Sequence, residues 1–347
     1  MLLHSTWFGT FLLEDGKVVK SRLSPHDPEV LAAHMLRVEE GKPLREERRL
    51  VEGLDEFLVT EGRLEKLGGT RTTEPAPFLD PSEFGFDVQL LQEAMIALGK
   101  RRMRRSVQPM DHVVQGIRAL DDLTRMRDRL MERLRDWYAL HFPELARMVE
   151  AGTFAQLVAE RGHRDKMPVE AGESLGAEIE EVDLRPIQGL ATVLRDLQRE
   201  REALEGYVEA RMKELAPNLA HVGGPLVGAR LVALAGGLEE LSRKPASTIQ
   251  LLGAEKALFR HLRKGAKPPK HGVLFQHPWV HAAPRWQRGP IARALAGKLA
   301  IAARADAYTG RFIAEELRGE VEAALEEIRR THPRPPPRRP RRGRRRG

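Results

Sequence analysis

Fourteen lysine and arginine residues lie between positions 243 and 311, against two acids, Glu255 and Asp306. Cations at this density favour a polyanionic ligand, and nucleic acid is the usual one. The cations alternate with Gly, Pro, His and Trp instead of forming a simple tail. The pattern predicts a folded surface that binds phosphate groups, with an ordinary solvated charged face as the alternative.

Gly253-Ala254-Glu255-Lys256 is the strongest candidate within this region. Glycine allows close backbone approach, and a helix that begins here would direct free N–H groups toward a phosphate. An ordinary break between helices is the alternative. The flat side chains further along the chain suit RNA, because unpaired bases stack on such groups. The candidate RNA-binding residues are Gly253, Ala254, Glu255, Lys256, Arg260, His261, Lys264, Lys267, Lys270, His271, Gln276, Arg288, Arg293 and Lys298.

The residues needed for catalysis or metal binding do not form a recognisable motif. His277 and His281 are separated by Pro278, which disfavours a single helix carrying both as metal ligands, and there is no cysteine. We find no phosphate-binding loop of the Gly-x-x-x-x-Gly-Lys type and no nucleophile elbow. The sequence therefore predicts no catalytic residues, no metal site and no cofactor bound by this chain.

Charge is distributed unevenly along the 347 residues, although the net charge is only +8. Residues 1–242 carry a net charge of −9, residues 243–311 carry +12, residues 312–332 carry −3 and residues 333–347 carry +8. The absence of cysteine suits a reducing compartment, and no apolar run approaches the length of a membrane span. We expect a cytoplasmic protein without membrane segments.

The predicted fold class is α+β, mainly α, and its first part is a small α/β domain at 1–105. Strand-forming residues from Trp7 to Leu13, an Asp15-Gly16 turn and a return strand from Val18 predict a β-hairpin. Asp27, followed by Pro28, predicts the N-cap of a helix. A further strand is predicted near Phe57–Thr60.

Residues 106–217 are predicted to form a long antiparallel coiled coil that pairs two copies of the chain. Apolar residues recur there at alternating steps of three and four, with a helical core that has no assembly role as the alternative. Residues 218–332 predict a compact helical domain, and the Arg-rich stretch 333–347 a disordered basic tail. The candidate dimerisation residues are Leu120, Leu123, Leu130, Leu134, Leu190, Leu194, Leu197 and Leu204.

The chain contains several long motifs, at Gly224–Arg230, Gly253–Arg260, Lys267–Gly272 and Ile291–Arg304, with a further one upstream at Leu134–Leu145. Together they resemble the Nop family of box C/D guide-RNA particles. The resemblance covers roughly 106–313 strongly and 1–105 weakly. In this family the three parts would be an N-terminal domain that holds the methyltransferase fibrillarin, a dimerising coiled coil and a Nop domain.

The resemblance implies a non-catalytic scaffold for 2′-O-methylation of RNA. The Nop domain would bind a kink-turn guide RNA already held by a small ribosomal-protein-like partner, with Gly253–Lys256 and Ala257–Arg260 at the RNA surface. S-adenosylmethionine would be bound by fibrillarin. Two alternatives remain open: a spliceosomal-type relative that assembles RNA–protein particles without fibrillarin, and an RNA-modifying enzyme in its own right.

Overall fold

The computed structural model describes residues 1–169 and 172–335, and it divides into two compact units, Met1–Gln108 and Pro109–Gly347. The first unit ends three residues beyond the predicted boundary at 105. The predicted disordered tail lies largely outside the described residues. Mainly helical elements with one small sheet confirm the predicted fold class.

The N-terminal unit is built on a five-stranded sheet in the order β3-β2-β1-β4-β5. The β1–β2 and β2–β3 pairs are antiparallel, whereas β4 pairs in parallel with both β1 and β5. Its strands are β1 Leu2–Ser5, β2 Gly9–Glu14, β3 Lys17–Leu23, β4 Leu58–Val59 and β5 Thr70–Arg71, and its helices are α1 Pro28–Glu39, α2 Arg45–Leu50 and α3 Val88–Ser106.

Local sequence signals explain the hairpin and the first helix. Asp15 and Gly16 both have positive φ, 47° and 75°, which is the backbone that a tight hairpin turn requires. The Asp27 carboxylate accepts the N–H of Glu29 at 2.8 Å and so caps α1. These observations confirm the predicted hairpin and N-cap.

A buried ion pair crosses the interior of this unit. Glu47 is fully buried and accepts two hydrogen bonds from the Arg63 guanidinium, at 2.8 and 2.6 Å. The same carboxylate accepts the Ser5 hydroxyl at 2.7 Å and the backbone N–H of Leu44 at 2.5 Å. Burial disfavours the charge on Arg63, but the hydrogen bonds that Arg63 donates to Glu47 and Glu61 outweigh it and raise the arginine pKa.

The second unit begins with two long helices that run antiparallel. Gly116 lies against Val208, and Arg127 lies against Gln198. Residue numbers therefore increase along the first helix while they decrease along the second, as in an antiparallel pair. The hairpin helices are α4 Pro109–Tyr138 and α7 Glu181–Leu215, and the tip between them contains α5 Leu145–Met148 and α6 Ala151–Arg161.

The predicted set of dimerisation residues has to be corrected, because some of them are buried inside the hairpin of a single chain. Leu120, Leu134 and Leu194 are 2%, 0% and 1% exposed, which leaves no side-chain surface for a second copy. Leu134 and Leu194 pack with Ile187 in the core of the hairpin. Leu123, Leu130, Leu190, Leu197 and Leu204 are half-buried.

The later helices share one core with the base of the hairpin. Val113 and Ile117 of α4 and Met212 of α7 pack among the buried residues of these helices, so no separate core begins at the predicted boundary of 217/218. The remaining helices are α8 Pro217–Gly223, α9 Pro225–Ala235, α10 Leu238–Ser242, α11 Ala246–Leu251, α12 Glu255–Lys264, α13 Pro278–His281, α14 Arg288–Arg304 and α15 Ala314–Thr331.

Candidate nucleic-acid interface

Helix α12 projects from the second unit with none of its residues buried. Gly253, at φ +84°, turns the chain out of α11, whose Ile249 is fully buried and anchors it. The Glu255 carboxylate accepts the Gly253 N–H at 2.7 Å. Glu255, a predicted RNA contact, therefore also stabilises the turn that begins the helix.

The chain returns from α12 through a loop that is fixed at its far end. Gly272 donates to the carbonyl of Gln250 at 2.9 Å, and Val273 donates to that of Leu252 at 2.7 Å. A Cβ at Gly272 would lie 1.8 Å from the Leu252 carbonyl oxygen, so only glycine fits. The Gln250 amide donates to the Lys270 carbonyl at 2.7 Å. These bonds hold the basic loop beside α12.

Most of the cations in the basic region have no acidic partner. In the part of the chain that the structure describes, Arg243 and Lys298 are the two of the fourteen that form ion pairs. Four predicted phosphate contacts, Lys256, Arg260, Lys264 and Lys267, are exposed on α12 and the loop after it. Exposed cations without acidic partners, gathered on one projecting element, are suited to binding a polyanion. We call α12 with the loop 265–272 the cationic projection.

Two predicted contacts are held by other parts of the fold. Lys298 forms an ion pair with Glu320 of α15, so it is less free than the cations of the cationic projection, and its contact with RNA stays a prediction. The Arg288 guanidinium donates to the carbonyls of Ala283 and His281 at 2.9 and 3.1 Å. Arg293 is exposed on α14, and no hydrogen bond or ion pair between described residues joins its side chain to the cationic projection.

The predicted base-contacting side chains differ in their availability. The His271 ring stacks on Phe275 at 4.8 Å, and burial followed by Arg288 and Lys270 lowers the pKa of His271. His261 is tied through Nδ1 to the Ala266 carbonyl. Gln276 is exposed and lines a groove of about 390 Å³ that also reaches Gly253. Gln276 is therefore the freest of the three.

Two apolar side chains of α12 face solvent. Phe259 is 57% exposed and Leu262 is 68% exposed, although apolar side chains of a helix normally cover a core. The sequence leaves two roles for Phe259, packing in the core or packing against a partner; its exposure excludes the first and leaves the ring available to a partner. Cations and exposed apolar groups on one helix suit a composite surface of RNA and protein.

His277 is a structural histidine behind this surface. It is 7% exposed, its Nδ1 accepts the Trp279 N–H at 3.2 Å, and its ring also hydrogen-bonds the backbone of Val222. Burial, reinforced by the charge of Arg318, lowers the pKa of His277 to about 4. The neutral ring is therefore the form that the fold stabilises.

The stability of the chain should fall as pH is lowered through the window between about 6.5 and 4. The unfolded chain takes up a proton at the ordinary histidine pKa of about 6.5, whereas folded His277 resists protonation until about pH 4. The full shift corresponds to about 3 kcal/mol. Thermal unfolding of the unmutated chain and His277→Gln across this window measures it, and exposed His112→Gln is the control. Parallel pH profiles for unmutated chain and His277→Gln would contradict the assignment.

The described residues contain no group of three or more His, Cys, Asp or Glu that could hold a metal ion. Across these residues there is also no helix with the length and apolar character of a membrane span. The Arg230 guanidinium of α9 donates to the Asp121 carboxylate of α4 at 2.6 Å, and this ion pair joins the two helices.

The comparison with family models decides the classification. The model described as Nop, the snoRNA-binding domain with fibrillarin, matches residues 119–327, more than half of the chain. The chain belongs to the Nop family. The matched range begins inside α4 and ends inside α15, and it includes the whole cationic projection. The resemblance inferred from the sequence motifs is thereby confirmed.

Known Nop relatives match this chain over about two thirds of its length. An uncharacterised NOP5 family protein of Methanocaldococcus jannaschii is 45% identical over 257 residues, which are 69% of this chain and 62% of that protein. Nucleolar protein 58 of Candida glabrata is 40% identical and that of Saccharomyces cerevisiae 38% identical, each over 256 residues, 67% of this chain and 50% of the relative. The chain thus spans half to three fifths of the length of these relatives.

A solved chain from a crystal structure of a fibrillarin/Nop5p complex is 24% identical, with a TM-score of 0.43 and coverage of 94% of this chain and 100% of that one.

The yeast relatives are nucleolar by name, and this contradicts the cytoplasmic location expected from the sequence. That expectation rested on absent cysteine and absent spans, which do not distinguish between reducing compartments.

Sequence reasoning missed one group of surface residues in the Nop-family match. Tyr308 and Phe312 are 60% and 54% exposed between α14 and α15. A signal was present, because both aromatics lie within four residues of Arg304 or Arg311. These residues were not predicted as a surface site because an isolated aromatic residue in a sequence more often belongs to a core.

Proposed function

We propose that this chain is the non-catalytic scaffold of a box C/D guide-RNA particle that directs 2′-O-methylation of RNA. The observation that carries the proposal is the cationic projection in a chain of the Nop family: exposed cations without acidic partners on a helix that buries nothing of its own. Its Nop-family range would bind a kink-turn RNA together with the small ribosomal-protein-like partner on that RNA. Phe259 and Leu262 suit the protein part of that surface.

The N-terminal unit is proposed to hold a fibrillarin-like methyltransferase. That partner would supply S-adenosylmethionine and the methyl transfer, with this chain positioning the enzyme and binding no cofactor of its own. The support is the fibrillarin in the description of the matching family. Capture of fibrillarin by the full chain tests it, and failure would favour a spliceosomal-type scaffold.

Two copies of the chain are proposed to associate through the outside of the hairpin. Met126 and Trp137 of α4 are 52% and 37% exposed. They are eleven residues apart, about three helical turns, so they lie on nearly the same side of the helix. Exposed apolar side chains on one side of a helix are suited to burial against a second copy of the chain.

The cationic projection can be tested with Lys256→Ala combined with Arg260→Ala. Binding to a kink-turn guide RNA loaded with its protein partner should weaken by about tenfold or more for each charge-assisted hydrogen bond that the double variant removes. The plot of log K against log salt should flatten by about one unit for each phosphate that is no longer bound. Fluorescence anisotropy at several salt concentrations measures both quantities.

Arg129→Ala combined with Arg161→Ala is the matched control. Both arginines are exposed elsewhere in the second unit and have no ion pair among residues 1–169 and 172–335, so the control removes the same charge. It should change affinity and salt slope far less. Equal effects from the two double variants would show that RNA responds only to net charge, and the projection would lose its role. Methylation by this chain alone with S-adenosylmethionine would instead support an enzyme.

A further inference from the structure

A second surface of cations and aromatic rings lies where α14 passes into α15. Tyr308 and Phe312 are the exposed rings, and Arg304 and Arg311 are exposed beside them. The acid of this segment, Asp306, points inward. Its carboxylate accepts the N–H of Leu219 at 2.8 Å and the side-chain amide of Asn218 at 2.6 Å. The outer surface therefore presents rings and positive charge.

The segment is held rigidly from several sides. The Asn218 amide donates to the Arg311 carbonyl at 2.9 Å, and its oxygen accepts the Ile313 N–H at 2.7 Å. The Ser242 carbonyl accepts Arg304 Nε at 3.1 Å, and the Ser242 hydroxyl lies 3.1 Å from the Tyr308 hydroxyl. Rings fixed before binding lose little conformational entropy when a ligand stacks on them.

The backbone here is of an uncommon type. Residues Ala305–Thr309 form a π-helical turn that ends at Gly310, φ +65°. Such turns are rare and occur often at functional sites. The turn lets Asp306 face the interior while Tyr308 faces solvent two residues later.

This surface is separate from the cationic projection. Lys270 of the projection lies against Gly289 at the start of α14, whereas Arg304 is at its end. Arg304 is sixteen positions beyond Arg288 on this helix, a rise of about 24 Å. At 3.4 Å per nucleotide, an RNA strand needs about seven nucleotides to cover that distance.

We propose that Arg304, Tyr308, Arg311 and Phe312 form a second RNA-binding site, which takes unpaired nucleotides. Exposed rings supply faces for base stacking, and the arginines supply contacts for phosphates; together these are the groups used by proteins that bind single strands. Arginine and aromatic side chains are also enriched at protein–protein interfaces, and a partner protein is the ligand that unchanged oligouridine affinity would favour. The acids Glu239 and Glu240 are paired with Arg243, whereas Glu315 and Glu316 in the first turn of α15 are exposed and make this site less positive than the cationic projection.

Tyr308→Ala combined with Phe312→Ala tests the rings. Binding of the full chain to a 12-nucleotide oligouridine should weaken about 30-fold, the effect expected from removing two weak stacking interactions. The salt slope should stay unchanged, because neither ring carries charge. The measurement is made in the Lys256→Ala/Arg260→Ala background, which reduces binding at the cationic projection. Leu140→Ala combined with Val182→Ala is the control, because it removes two exposed apolar side chains to which no binding role is assigned.

Arg311→Gln and crosslinking give independent readouts. The Arg311 side chain is exposed and forms no hydrogen bond or ion pair with the described residues, so its removal should flatten the salt slope by about one unit without lowering thermal stability. Oligouridine with 4-thiouridine should crosslink to Tyr308 or Phe312. Unchanged oligouridine affinity in the ring variant, or crosslinks confined to other segments, would overturn this site. Neither result bears on the kink-turn binding of the proposed function, which the projection variants test.

Discussion

Replacing Arg63 with methionine is expected to destabilise the N-terminal unit by about 3–5 kcal/mol. The substitution leaves Glu47, fully buried, with a negative charge that no cation balances. Removing one partner of a buried pair costs more than the pair contributes, because the remaining charge keeps its desolvation cost. Hydrogen exchange of the amides of β1 and β2 in the full chain would report the destabilisation, since these strands carry the buried core residues Leu3 and Phe11.

The double variant Arg63→Met/Glu47→Gln separates charge from packing. A glutamine at 47 keeps an oxygen that can accept the Ser5 hydroxyl or the Leu44 N–H but carries no charge. It should recover most of the stability that Arg63→Met removes. If the double variant is as unstable as the single one, the missing packing of the arginine, rather than a stranded charge, is responsible. Lys42→Met is the exposed control, because its ion pair with Glu40 lies in solvent.

The distance in sequence between interacting residues explains which features the sequence could predict. The Asp15-Gly16 turn and the Asp27 cap depend on neighbours one to three positions away, and both were predicted. The buried pair joins positions 16 residues apart and the Ser5 contact joins positions 42 apart. Nothing in the local pattern marks Glu47 as buried among many exposed glutamates, so its role requires the folded chain.

The candidate site shows the same division. Composition alone located the basic region, because fourteen cations against two acids is a property of the sequence. Lys298 could not be separated from the free cations, since its partner Glu320 reaches it only when α15 packs along α14. The inward turn of Asp306 depends on Asn218, 88 positions away. It is therefore tertiary pairing, not composition, that divides the charged residues into paired and unpaired ones.

The hairpin illustrates how periodicity predicts a helix without naming its partner. A heptad pattern predicts an apolar stripe on each helix, and α4 and α7 satisfy much of each other's stripe within one chain. Tyr138, fully buried, lies in that core, while Trp137 beside it is 37% exposed. A shift of one residue moves a side chain by about 100° around the helix. Sequence spacing could not fix that rotation, so seam and outer surface were not distinguished.

Leu194→Asp and Met126→Asp/Trp137→Asp are therefore expected to act in opposite ways. Leu194 is 1% exposed, so an aspartate there creates a cavity and buries a carboxylate with no partner, which destabilises the fold by about 4 kcal/mol or more. The hairpin core itself should loosen, with lower helical content by circular dichroism and faster amide exchange in α4 and α7. Any decrease in self-association would then be secondary to unfolding.

Met126→Asp/Trp137→Asp should leave the hairpin folded and turn associated copies into monomers. Both side chains are already exposed in the single chain, so charges there meet water; in a pair of copies the same charges would be desolvated and would repel one another. Sedimentation velocity at micromolar concentration measures the mass, and circular dichroism confirms the helices. Arg161→Asp, at an exposed position at the end of α6, is the control, because it changes the net charge by the same two units away from this side of α4. Should the unmutated chain sediment as a monomer, or the Met126/Trp137 variant remain associated, this side of α4 is not where copies meet.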